Sequence, residues 1–247
     1  MSISSDKELA GMRQVGALVR DVLAHLRRRL EPGMTTAELD AEALRFLTSR
    51  GARSAPQMQY RFPGATCLSV NDEIVHGVPG PRVVQRSDLV KIDVTAELDG
   101  FIADAAISVP MPDAPEEARR LADCAREAFA GAMAAVRAGG RVSGIGAAVD
   151  RAVRARGYRV VRELTGHGVG RAIHEPPDVP NFAVAGRQDR LHRGLVIAVE
   201  PIIAARSARP VTDPDGWTLR THNGALAAHF EHTVVVTQGE PEILTAA

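Results

Sequence analysis

Two aspartates, Asp93 and Asp104, flank an Asp99-Gly100 pair in the stretch Val90-Lys91-Ile92-Asp93-Val94-Thr95-Ala96-Glu97-Leu98-Asp99-Gly100-Phe101-Ile102-Ala103-Asp104-Ala105-Ala106-Ile107-Ser108-Val109. Asp-Gly between β-branched and apolar runs is the strongest short-range signal for a tight hairpin. With Asp99 and Gly100 at its centre, Thr95 faces Asp104 across the ladder and Asp93 follows two residues along on the same face. The two carboxylates are then diagonal neighbours, about 7–8 Å apart. Beside Val, Ile and Ala they would repel each other and be desolvated, which raises pKa and costs stability; a cation between them removes the conflict. The ordinary alternative is a solvated strand face. Asp99 is explained by turn chemistry and is given no further role.

Three more residues have no local structural reason. His167 sits in Thr165-Gly166-His167-Gly168-Val169-Gly170, where glycines allow close backbone approach. Glu200 ends the apolar run Leu195-Val196-Ile197-Ala198-Val199, where an unpaired carboxylate is costly. Glu231 lies in a final β-branched run. Each alone can be read as a satisfied polar group. Together, four carboxylates and an imidazole form a hard, oxygen-rich set that suits two bridged divalent ions, as in hydrolases whose metals lie about 3.5–4 Å apart. His76, at the end of the Asn71-to-Gly77 turn, and His174 are candidate partners for a substrate. No H-E-x-x-H motif occurs, and the glycines around His167 do not follow a phosphate-loop spacing. The two cysteines, Cys67 and Cys124, lack C-x-x-C spacing, so neither a disulfide framework nor a thiolate zinc site is expected.

The elements that must position these groups follow from periodicity. Apolar residues at helical spacing predict a helix over about 7–30, and a second, capped by Thr35 or Thr36, ending at Gly51. Residues 52–65 read as irregular because of Pro56 and Pro63, and a short strand follows over 66–70. Beyond the hairpin, helices are expected over about 115–137 and from Ser143 to about 156, then a strand over 158–164. A polar loop is expected over 176–193, a buried strand over 195–201, and a closing hairpin formed by 217–220 and 227–236. Helix, glycine stop, helix and strands thus occur twice. Shifted by 106 residues, Leu39 matches Ile145, Ala41 matches Ala147, Leu47 matches Val153 and Gly51 matches Gly157. Two related halves, roughly 1–110 and 111–247, are expected to pack as one domain around a site between them.

At 247 residues the chain can bury a large core. Basic and acidic residues balance at 30 each, which argues against binding DNA or anionic membrane through bulk charge. The start shows no signal-peptide pattern and no apolar run is long enough to span a bilayer, so a cytoplasmic protein is expected.

With these residues in place, the sequence resembles the type I methionine aminopeptidases of the pita-bread metallopeptidase family. The resemblance spans nearly the whole chain. It rests on Val75-His76-Gly77-Val78-Pro79, the hairpin from Asp93 to Asp104, Gly166-His167-Gly168-Val169-Gly170-Arg171 with His174-Glu175, Val199-Glu200-Pro201 and Glu231-His232-Thr233. It implies an α+β pita-bread fold: a pseudo-twofold antiparallel sheet with two pairs of helices on its outer face. It also implies two divalent ions (Co, Mn, Fe(II) or Zn), with Asp93 on one, His167 and Glu200 on the other, and Asp104 and Glu231 bridging. Glu200, His174 and His76 would be catalytic. His76 and His174, with Phe62, Cys67 and Trp217, would contact substrate. The implied partners are N-termini of nascent polypeptides, met at the ribosome by a monomer, with the second residue small. Family members generally have a cysteine and a tyrosine where Pro56 and Gln59 stand, and an aromatic where Ile173 stands, so the pocket wall is expected to differ. Rival readings are a prolidase or Xaa-Pro aminopeptidase on the same fold, which usually carries an extra N-terminal domain, and a non-catalytic binding module, which would have lost ligands.

Overall fold

The computed structural model describes residues 1–186 and 189–246; Arg187 and Gln188, within the expected 176–193 loop, and Ala247 lie outside the described residues. The first predicted helix is α1 (Asp6–Arg29). The Ser5 hydroxyl accepts from the Glu8 N–H, with acids in the first turn and Arg27, Arg28 and Arg29 in the last, as the helix dipole favours. Met12, Val15, Val19, Val22 and Leu26 form its fully buried stripe. A capping box of Thr35 and Glu38 opens α2 (Thr36–Ser49).

The segment expected to be irregular instead holds α3 (Ala55–Tyr60), capped by Ser54, with Pro56 in its first turn, where no N–H is required. The second helix pair is α4 (Glu116–Ala132), continued by a 3₁₀ turn over Met133–Ala135, and α5 (Val142–Ala155). Arg141, not Ser143, precedes α5.

A nine-stranded antiparallel sheet runs in the order Arg53–Ser54, Leu89–Leu98, Phe101–Pro110, Glu231–Val235, Val196–Val199, Thr165–Gly168, Glu175–Pro180. Cys67–Val70 also pairs with Leu89–Leu98, and Glu242–Ile243 with Glu231–Val235. Strand alternation separates the two faces. Ile92, Val94, Ala103 and Ala105 pack with α1 and α2, while Ile197, Val199 and Val234 pack with α4 and α5. Their alternate neighbours, Asp93, Asp104, Glu200 and Glu231 among them, therefore turn the other way. The α+β architecture is the one expected, with a helix pair backing each half of one continuous sheet.

Three local expectations are corrected. Residues 217–220 and 227–236 do not pair: Leu219–Thr221 lies between Glu73–Val75 and Pro210–Thr212 in a small separate sheet. The last run instead divides at Phe230 into Ala227–His229, in a second small sheet, and Glu231–Val235, in the main one. The strand expected over 158–164 is only Arg159–Val160, paired with Ile202–Ala204. Within the expected polar loop, Glu175–Pro180 is a strand at the end of the main sheet, and an edge position spares its three prolines a full ladder.

Candidate metal centre

The hairpin has the predicted register, with Thr95 opposite Asp104 and Asp93 opposite Ala106. Asp99 (φ 52°) and Gly100 (φ 80°) both take the left-handed conformation of a type I′ turn. On the other side of the second hairpin strand, Glu231 lies opposite Ala106, so Asp93 and Glu231 flank a single methyl group. One strand further, His232 pairs with Val199 and Thr233 with Ala198, a register that carries Glu200 alongside Glu231. His167 pairs with Ala198 from the far side. Its flanking glycines are a packing requirement: a methyl on Gly168 would lie 2.3 Å from Pro176 O, and one on Gly166 2.4 Å from Ala198 O. All five predicted ligand residues are thus brought to one face.

Their environment is hostile to bare charge. Burial pushes the Asp93 carboxyl up to about 8, and the neighbouring Asp104 charge adds to the effect. Asp104, Glu200 and Glu231 are raised well above the ordinary carboxylate range, by burial first and then by other acids of the cluster. Thr95 Oγ1 donates to Asp104 Oδ1 at 2.8 Å, and Asp104 is further held through its backbone by Thr233 Oγ1, at 2.8 and 2.9 Å. His167 is lowered to about 4, chiefly by burial; its Nδ1 lies 2.9 Å from Gly168 O, which leaves Nε2 free as a lone-pair donor.

Donor chemistry and geometry fit divalent ions. Among the described residues, the buried side-chain polar atoms without a hydrogen-bond partner are Glu231 Oε1 and His229 Nε2, both in this cluster. Two groups have donor atoms within 4.8 Å of one another, Asp104–His167–Glu231 and Asp93–His229–Glu231, and Glu231 belongs to both. That is the arrangement expected of two ion positions bridged by a shared carboxylate.

The centre floors a cavity of about 400 Å³. Phe62 and Trp217 meet edge to face there, with ring centroids 5.3 Å apart at 89°, and Cys67 lies beside them as a buried thiol whose pKa burial and Asp93 push up. His76 sits in the wall at φ 57°, in the left-handed region, and burial lowers it to about 4. His174 stands at the mouth, its ring 4.3 Å from that of His167. Pro56 and Ile173 line the cavity as expected. Gln59 does not: its Oε1 accepts from Ile173 N at 3.0 Å, so it holds the His174 loop.

Several participants were not anticipated. Tyr60, another cavity residue, places its hydroxyl 2.7 Å from His174 Nδ1. Lys91, fully buried and lowered to about 7 by desolvation, donates to Asn71 O (2.8 Å) and Ala227 O (3.2 Å) and ties the hairpin base to the last strands. His229 carried a readable signal, since period-two alternation puts it on the face of Glu231.

The model of metallopeptidase family M24 matches residues 10–238. The chain belongs to that family. Across 99% of both chains it is 40% identical to methionine aminopeptidase 2 of Bacillus subtilis, and across 98% of both it is 38% identical to the methionine aminopeptidase of Clostridium perfringens. The crystal structure of the Thermotoga maritima methionine aminopeptidase superposes with a TM-score of 0.96 at 32% identity, covering 100% of both chains. The Pyrococcus furiosus prolidase shares the fold at a TM-score of 0.80 and 20% identity, with 65% of its length covered. For an M24 metallopeptidase, the carboxylate–imidazole cluster is compatible with two divalent ions.

Proposed function

We propose that this chain, acting as one catalytic domain of two related halves, removes the N-terminal methionine from nascent polypeptides whose second residue is small. The observation that carries the reading is a buried carboxylate–imidazole cluster under an aromatic and thiol-lined cavity, in a chain similar to methionine aminopeptidases over its full length. The ions are proposed to be held by Asp93, Asp104, His167, Glu200 and Glu231; when bound they supply Lewis acidity that polarises the scissile carbonyl and acidifies a water. Glu200 accepts the proton of the attacking water and passes it to the leaving nitrogen as the scissile C–N bond breaks. His174 donates to the carbonyl oxygen as negative charge develops on it, and neutral His76 holds the peptide backbone. Phe62, Cys67 and Trp217 receive the methionine side chain, for which an aromatic edge and a polarisable thiol are suited. The setting is proposed to be the cytoplasm, with the chain acting as a monomer near the ribosome; among the described residues no helix is long and apolar enough to cross a membrane.

Tyr60 sharpens the role of His174. A phenol donating to Nδ1 leaves the ring proton on Nε2, the nitrogen that must face the substrate oxygen. Tyr60→Phe is therefore expected to lower kcat about fivefold with KM within about twofold, the loss of one hydrogen bond of about 1 kcal/mol. A raised KM at unchanged kcat in steady-state assays would reduce Tyr60 to a substrate contact.

A panel of Met-Xaa and Xaa-Ala peptides tests the specificity. Methionine is expected first, with small second residues preferred. Pro56 and Ile173 alter the wall, so discrimination against norleucine should be weak, since one methylene-sized change is worth only about 1–3 kcal/mol. Preferential cleavage before proline, whatever the first residue, would assign the chain to prolidase chemistry.

A further inference from the structure

We propose that His229 is a metal ligand, a second imidazole on the Asp93 side of the centre, so that the two ion positions are each served by one histidine. The inference rests on the dinuclear reading above and adds a residue outside the five-residue set.

Three observations carry it. His229 is only 2% exposed, and its Nε2 has no hydrogen-bond partner although it points into the acidic cluster. That nitrogen lies 3.3 Å from Glu231 Oε2 and 3.6 Å from Glu200 Oε2. These spacings are long for a charge-assisted hydrogen bond, which runs about 2.7–2.9 Å. The 3.3 Å spacing to Glu231 suits two donors on one ion, since atoms each about 2.1 Å from a metal stand roughly 3.0–3.4 Å apart in octahedral and tetrahedral shells. His167 Nε2 likewise stands beyond charge-assisted hydrogen-bond distance from a cluster acid, 3.5 Å from Glu200 Oε1. The grouping of donors agrees: His229 completes the Asp93–Glu231 set as His167 completes the Asp104–Glu231 set.

The backbone holds His229 in this position. Ser108 Oγ donates to His229 O at 2.8 Å and accepts from His229 N at 2.9 Å, while Lys91 Nζ bonds the carbonyl of Ala227 in the same short strand at 3.2 Å. The chain leaves the small sheet at Phe230, whose ring packs 5.5 Å from that of Phe129, and alternation returns Glu231 to the same side as His229. An imidazole at each position favours first-row transition ions over Mg or Ca, which prefer oxygen-only shells.

The test is proton NMR in water of the full chain loaded with two equivalents of Co(II). An imidazole bound through one nitrogen reports its other N–H as a strongly shifted, solvent-exchangeable signal. Two such signals are expected, one lost in His167→Gln and the other in His229→Gln. Calorimetric titration of His229→Gln with Zn(II) should show one of the two sites weakened at least tenfold, because loss even of an outer-shell partner costs about 10–100-fold. Two bound Co(II) ions with a single shifted N–H in the unaltered protein would overturn the assignment, without any need for a variant to fold. Failure to bind Co(II) or Zn(II) at all would overturn the dinuclear reading with it.

Discussion

Stripped of metal by a chelator, the protein is expected to lose activity and to melt at a lower temperature, by an amount that grows from pH 5 to pH 8. A buried carboxyl with a raised pKa keeps its proton in the folded state while the unfolded chain, with carboxyls near about 4, has already lost its own. Its burial costs nothing through this route below about pH 4 and progressively more as pH climbs toward the folded value, about 8 for Asp93. Asp104, Glu200 and Glu231 act in the same direction, while His76, His167, His229 and His232, lowered to about 4 by burial, cost stability below about pH 6.5; the carboxyls therefore dominate above that, and the metal-free protein should lose stability as pH rises from about 6.5 to 8. Metal binding runs the other way, because ions compete with protons for these groups. Two ions, each supplied at about 100 times its dissociation constant, add about 5 kcal/mol, on the order of 10–20 °C in Tm for a chain of this size. Scanning calorimetry with and without chelator across this pH range measures the gap. Identical melting with and without metal would remove the ions from the structure's energetics.

The second large effect concerns His174→Ala, expected to lower turnover by about 10²-fold or more, the scale seen when one donor to a developing oxyanion is removed. Metal content should be unchanged, since His174 is exposed at the cavity mouth, whereas the proposed ligands His167, Glu200, Asp104 and Glu231 are buried. Its position is built by its neighbours: Gln59 holds Ile173 N, and the Glu175 carboxylate accepts from Arg171 N (2.6 Å) and Ala172 N (2.9 Å). Kinetics alongside elemental analysis separates the cases, because loss of bound metal in this variant would make His174 a ligand instead of a charge-stabilising group.

The hairpin was legible because Asp99-Gly100 sets both turn type and register locally, and the register places Asp93 and Asp104 without further information. His167, Glu200 and Glu231 stood out as polar residues in glycine-rich or apolar runs. Pairings between distant segments were not legible: nothing local says that Leu219–Thr221 adds to Glu73–Val75, or that Phe230 divides one apolar run between two sheets. Proline misled twice. Pro56 read as a breaker but begins α3, and the prolines of Glu175–Pro180 read as loop but belong to a sheet edge. His229 passed unremarked because a histidine in a strand has an ordinary core reading; its alternation with Glu231 places it on the cluster's face, and its unpartnered nitrogen beside Glu200 and Glu231 marks it.

Titrating metal-free protein with Co(II), Mn(II), Fe(II) or Zn(II) while following methionine release from Met-Ala-Ser joins the metal centre to the proposed reaction in one measurement. No release is expected before metal is added, with release rising to a plateau by two ions per chain for at least one of the metals. Full release from metal-free protein, or none with any of the four metals, would contradict a dinuclear methionine-removing centre.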